Sequence, residues 1–150
     1  MNGRVAAVSL SEQRGVSKHP VAAIELRADW GVVGDAHAGP WHRQVALLAW
    51  EDVLEAQARG LQVGAGSFAE NIATQGLMLT DIPVGARLQI GTALLEVTQI
   101  GKPHDEPDVI HRLVGDSVIP RRGIFGRVLQ GGTVRAGDEI VVTLPEHNEP

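Results

Sequence analysis

The chain of 150 residues fits one domain, and a chain of this size buries roughly two-thirds of its unfolded surface and needs no covalent staple. It contains no cysteine, which excludes disulfides, thiolate metal sites and thiol nucleophiles. Its net charge is −5 and lysine occurs only at Lys18 and Lys102, so the basic face of a nucleic-acid binder is missing and small molecules are the expected partners.

The N-terminal stretch MNGRVAAVSLSEQRG lacks the apolar run of a signal peptide. No segment approaches the ~20 apolar residues that cross a bilayer as a helix. A cytoplasmic protein with no membrane partner is therefore expected. With 18 glycines and 8 prolines separating short runs rich in Val and Ile, the pattern is that of a β-dominated single domain over residues 1–150. In chain order, strands are predicted over Arg4–Leu10, Ala22–Leu26, Gln44–Ala49, Asn71–Thr74, Arg87–Ile90, Ala93–Gln99, Ile124–Leu129 and Glu139–Leu144.

One helix is predicted, over Glu51–Arg59. Acids open it, Gly60 follows it as a left-handed stop, and its thin apolar stripe of Val53, Leu54, Ala56 and Ala58 suits packing on a barrel edge. Gly91-Thr92, between two apolar alternations, is the strongest hairpin signal. Gly131-Gly132 and Gly137-Asp138 suggest a second pairing near the C-terminus. Many short strands with tight turns can close into a barrel and so remove exposed edges.

Four of the six histidines fall in two short stretches: His37 and His42 in GDAHAGPWHRQ, and His104 and His111 in GKPHDEPDVIHR. Gly39-Pro40 forbids a helix in the first, so its histidines are carried by irregular backbone, where functional groups concentrate. Neutral imidazole is a common transition-metal ligand, and His37, His42 and a group from the second stretch suffice for an open three-ligand site, with Asp35, Asp105, Glu106 and Asp108 as further carboxylates. No HExxH or other single-site spacing is present. The plainer alternative has His37 and His42 capping loop carbonyls, with Trp41 packed as a lid on the barrel. Trp30, Trp41 and Trp50 flank this loop and suit either a pocket wall or core packing.

In GAGSFAENIAT, Asn71 suits a turn-holding side chain, and Glu70 is a candidate acid/base if burial or a neighbouring acid raises its pKa. In PRRGI, Arg121 and Arg122 suit an anion grip or a solvated turn. Arg43 and Lys102 add positive charge to the two histidine stretches, so an anionic ligand is expected despite the acidic total. Gly64-Ala65-Gly66 lacks the lysine and helix signature of a phosphate-binding loop.

Four ordered blocks, GDAHAGPWHRQVALL, GSFAENIATQGL, PVGARLQIGTALLEVTQIGKP and VGDSVIPRRGIFGRVLQGGTVRAGDEI, together resemble the MOSC domain, the C-terminal domain of molybdenum-cofactor sulfurase, in its small stand-alone bacterial form. The likeness spans about residues 32–142. It implies a mainly β fold built on a closed barrel with one or a few short helices. It also implies a pocket in which a cysteine bears sulfur or ligates molybdenum of a pterin cofactor. Aligned by these blocks, His104 stands at that cysteine's place, and Asp108 and Ser117 stand where further cysteines occur. None of these groups holds sulfane sulfur as a thiolate does, so sulfur carriage is not expected.

Replacing Cys by His and Asp favours a harder metal. The leading expectation is a metal-dependent lyase or hydrolase for a small anionic substrate. In it His37, His42, His104, Asp108 and His111 supply metal ligands, with Glu70 and His104 catalytic and Arg43, Asn71, Lys102, Arg121 and Arg122 binding substrate. A molybdenum-cofactor or pterin-binding module and a molybdenum-cofactor oxidoreductase are the alternatives.

Overall fold

The computed structural model describes residues 2–101 and 122–146. Eleven strands, one α-helix and one 3-10 turn are formed there, in the order β1 (Asn2–Leu10), β2 (His19–Val21), β3 (Ala23–Arg27), β4 (Gly31–Val32), β5 (Val45–Ala49), α1 (Trp50–Ala58), β6 (Ile72–Gln75), the 3-10 turn (Leu79–Asp81), β7 (Arg87–Ile90), β8 (Ala93–Ile100), β9 (Ile124–Gln130), β10 (Gly132–Arg135) and β11 (Glu139–Thr143). All eight predicted strands are present, and β1 begins two residues early. No helix among the described residues is long and apolar enough to cross a membrane.

Seven strands close a barrel in the order β1-β11-β7-β8-β9-β5-β6 and back to β1, with β2 extending from β1. The side chains show how it closes. β7 and β11 alternate strictly, turning Leu88, Ile90, Ile140 and Val142 inward and Arg87, Gln89, Glu139 and Val141 outward, as a strand wetted on one face must. Inside, Val5, Val8, Val45, Leu47, Ile72, Leu95, Val97, Ile124 and Val128 complete one continuous core. The register slips by a residue in β1 between Val5 and Ala7 and in β8 between Val97 and Gln99, the kind of bulge that bends a strand around a barrel.

A separate three-stranded sheet, β10-β3-β4, packs Ile24, Leu26 and Val134 onto the same core. Three strands, β2, β4 and β10, escape sequence reading for identifiable reasons. β4 has two residues, β2 contains Pro20 and survives because it lies at a sheet edge, where a missing N–H costs no ladder bond, and β10 begins within a glycine pair. The Gly91-Thr92 hairpin joins β7 to β8 as expected. The other two turn signals do not form hairpins. After Gly131 the chain leaves β9 to pair with β3, and after Gly137 it rejoins the barrel beside β1 and β7. Gly131 is needed for close approach, since a Cβ there would lie 2.6 Å from the Leu26 carbonyl oxygen, whereas Gly137 has open space around it and is needed for its φ of +94°.

β5 and β6 pair in parallel, Leu47 opposite Ile72, which requires a crossover. α1 provides it. Glu51 and Asp52 occupy its first turn, and its end is closed by Gly60 (φ +92°), whose N–H donates to Gln57 O. Val53 and Ala56 bury against Leu48 on the outside of the barrel, with Trp50, Leu61, Val63 and Phe68 around them, whereas Leu54 stays 46% exposed. The apolar stripe is thus narrower than predicted.

Candidate functional site

Parallel pairing of β5 and β6 brings the residues preceding each strand to one end of the barrel: Arg43 and Gln44 before β5, Glu70 and Asn71 before β6. β9 lies on the other side of β5, with Ile124 opposite Leu47. A cleft opens between them, lined by His37, Trp41, Arg43, Leu47, Leu48, Phe68, Glu70, Ile124 and Phe125. Three of the sequence-selected groups, His37, Arg43 and Glu70, therefore share one concavity whose other walls are mainly apolar, the usual composition of a small-molecule site.

Behind His37 lies a buried ionic network. Lys18 Nζ donates to Asp35 Oδ1 at 2.8 Å, and neither side chain is exposed to solvent. The same ammonium lies 3.0 Å from His37 Nδ1. Asp35 Oδ1 also accepts the Ser11 N–H and Oδ2 the His37 N–H, each at 3.0 Å. Burial by itself raises the pKa of Asp35, but its hydrogen bonds with His37, Lys18 and Ser11 and the Lys18 charge outweigh it and hold the carboxyl well below the usual range. A buried charge is tolerated only when paired and hydrogen-bonded in this way.

The loop after Asp35 turns at Gly39 (φ +152°) to set Trp41 over His37. Trp41 Nε1 donates to the His37 carbonyl at 2.8 Å, and the two rings stack with centroids 6.5 Å apart. Trp41 is half-buried and lines the cleft, while Trp30 is 41% exposed and Trp50 belongs to the helix cluster. His42 is exposed and points elsewhere, its Nε2 3.0 Å from Gln99 Oε1. Arg43 Nε donates to that same oxygen at 3.0 Å, and its guanidinium lies 5.3 Å above the Phe125 ring. Gln99, whose Nε2 donates to Gly101 O at 2.7 Å, thus joins the first histidine loop to the end of β8.

Glu70 is buried. Its Oε2 accepts the Gly66 N–H at 2.5 Å and its Oε1 the Phe68 N–H at 3.1 Å. Burial raises its pKa, although these N–H groups and the Lys18 charge oppose the rise. The loop it holds is tight: Gly66 (φ +83°) would drive a Cβ into the Lys18 carbonyl, and Ala69 sits at φ +64°. Asn71 braces backbone, accepting the Ala46 N–H at 3.0 Å and donating to Ser9 O at 3.2 Å. Arg122 lies away from the cleft, its Nη1 3.0 Å from both Asp52 Oδ1 and Glu55 Oε2 on α1. Lys102, His104, Asp108, His111, Ser117 and Arg121 lie outside the described residues. Among the described residues no group of three metal-ligating side chains is gathered.

A family model described as the MOSC domain matches residues 34–141. The chain belongs to the MOSC domain family. Among solved structures, the YuaD protein from Bacillus subtilis matches with a TM-score of 0.77 at 20% identity, covering 97% of this chain and 98% of its own. YiiM from Escherichia coli gives 0.65 at 20% identity, covering 99% and 72%, and YiiM from Geobacillus stearothermophilus gives 0.60 at 25%, covering 94% and 73%. No curated protein gives a significant match. The mainly β, barrel-based MOSC architecture expected from the sequence is thereby shown, in a chain without the thiol that the resemblance assigns to the family's pocket.

Two residues that organise this end of the barrel, Lys18 and Gln99, carry little signal in the sequence. Lys18 precedes the three-residue β2 in an unremarkable SKHP stretch, and its only signal was scarcity, as one of two lysines. Gln99 lay inside a predicted strand, where a neutral side chain gives no sign of the loop it will reach.

Proposed function

We propose that this cysteine-free MOSC protein binds a small anionic ligand in the cleft between β5, β6 and β9. The observation that carries this reading is the placement of Arg43 and His37 on one cleft whose walls include Trp41, Leu47, Ile124 and Phe125. A guanidinium grips a carboxylate or phosphate through paired, charge-assisted hydrogen bonds, and aromatic and aliphatic walls receive a flat or apolar body. Gln99 takes up Arg43 Nε, which fixes the plane of the fork. Glu70, held by two N–H groups beneath Phe68 and Ala69, shapes the floor.

The family's molybdenum-pterin cofactor suits this chain only at its anionic end. With no cysteine anywhere in the sequence, neither sulfur carriage nor thiolate ligation of molybdenum is available. A lyase or hydrolase built on a divalent metal held by His37, His42, His104, Asp108 and His111 is the competing proposal, and elemental analysis separates the two.

The test is calorimetric titration of untagged protein with pterin-6-carboxylate, phenyl phosphate and inorganic phosphate. Binding that is lost in Arg43→Ala supports the anion site. Stoichiometric zinc, manganese, iron or nickel that disappears in His37→Ala and His42→Ala, with no anion binding, would replace it by the metal reading.

A further inference from the structure

We propose that Lys18 is a positioning residue that fixes His37 as its Nε2–H tautomer, so that the cleft presents a hydrogen-bond donor at this position and not a metal ligand. The argument starts from Lys18 Nζ, 2.8 Å from Asp35 Oδ1 and 3.0 Å from His37 Nδ1. Beside a buried carboxylate the lysine is an ammonium, which has donors and no lone pair. An Nδ1–H facing it would set two donors against each other, so Nδ1 turns its lone pair to Lys18 and the ring proton resides on Nε2. Asp35 Oδ2 does not compete for Nδ1, since at 3.7 Å it lies beyond hydrogen-bond range and already accepts the His37 backbone N–H.

This inverts the arrangement of a metal-bound histidine. There the second ring nitrogen donates to a carboxylate or carbonyl, which frees the first to ligate. Here the second nitrogen accepts from a cation, and the nitrogen left for the cleft carries a hydrogen. The His37 side chain is 32% exposed and its ring lines the cleft beside Arg43. Trp41, stacked on the ring and tied to the His37 carbonyl, holds the imidazole plane. The ligand class that follows, resting on the anion reading above, is an oxyanion that accepts from both the Arg43 guanidinium and the His37 Nε2–H.

Long-range ¹H–¹⁵N spectra of labelled protein test this, with His37 assigned by its disappearance in His37→Gln. The expected wild-type pattern is a protonated Nε2 and an unprotonated Nδ1. Lys18→Met, and Lys18→Met with Asp35→Asn where the single variant fails to fold, should abolish that pattern in favour of a tautomer mixture and weaken phenyl phosphate binding by about tenfold, the loss of one well-placed donor to an anion. An Nδ1–H tautomer in the wild type, or a spectrum unchanged without Lys18, overturns the proposal. So does stoichiometric zinc that binds at His37 Nε2. Should phenyl phosphate fail to bind while His37 keeps its Lys18-dependent Nε2–H pattern, the anion reading falls and the positioning role stands.

Discussion

Lys18 and Asp35 form an ion pair at 2.8 Å with both side chains sealed from solvent, between the end of β1 and the first histidine loop. Such a pair is a liability when halved. Removing one partner of a buried pair leaves an uncompensated charge and typically costs about 3–5 kcal/mol, whereas removing both can cost much less. Lys18→Met should lose stability on that scale, and Lys18→Met with Asp35→Asn should recover a large part of it. Urea unfolding of the three proteins at neutral pH checks the cycle.

The two buried carboxyls have opposite signs in acid. Asp35 is held below its ordinary value of 3.8, so its contribution is complete above that value and is lost as pH falls beneath it. Glu70 is raised above 4.5, so it opposes folding as pH rises through its folded value and ceases to do so on protonation. Asp35→Asn should therefore be less stable than wild type at neutral pH yet lose less between about pH 4 and about pH 2. Unfolding midpoints across that range measure the slope.

At the proposed anion site, Arg43→Ala should weaken phenyl phosphate binding by about ten- to a hundredfold, the worth of roughly 1.5–3 kcal/mol for a hydrogen bond to a charged group. Titration calorimetry reads the change, and an unaltered far-ultraviolet spectrum shows that the barrel is intact.

Arg122 provides the contrast. Its guanidinium bridges Asp52 and Glu55 but is half exposed, and exposed pairs contribute about 0–1 kcal/mol. Arg122→Ala should shift the thermal midpoint little, by less at high salt, and leave phenyl phosphate affinity unchanged.

Two glycines with the same backbone sign separate strain from crowding. Gly34 (φ +87°) has open space around a virtual Cβ, so Gly34→Ala should cost only the left-handed penalty of about 1–2 kcal/mol. Gly66 (φ +83°) would in addition push its Cβ into the Lys18 carbonyl, so Gly66→Ala should cost clearly more and disturb the neighbouring lysine. Thermal denaturation of both variants tests the ranking.

Local periodicity made most of the barrel legible. Arg87–Ile90 alternates so cleanly that its predicted and observed bounds coincide, and Gly60 ends α1 as its type suggests. Strand partners were less accessible, because glycine pairs mark both hairpins and close approaches, and only the tertiary structure tells that Gly131 serves Leu26. At the site, the loop histidines and Glu70 announced themselves by residue type, but their roles are set by partners distant in sequence. His37 is defined by Lys18 and Arg43 by Gln99. Asn71, read as a turn holder or a substrate contact, ties Ala46 to Ser9, a task visible only once β5, β6 and β1 lie side by side.

Gly101 N–H donates to Gly123 O at 2.7 Å, joining the end of β8 to the start of β9 across the intervening stretch of chain. The barrel is therefore closed by contacts that do not depend on how long that stretch is, and doubling a loop already closed at its base costs only about 0.6 kcal/mol. The seven strands can therefore keep their register whatever the length of chain between Gly101 and Gly123.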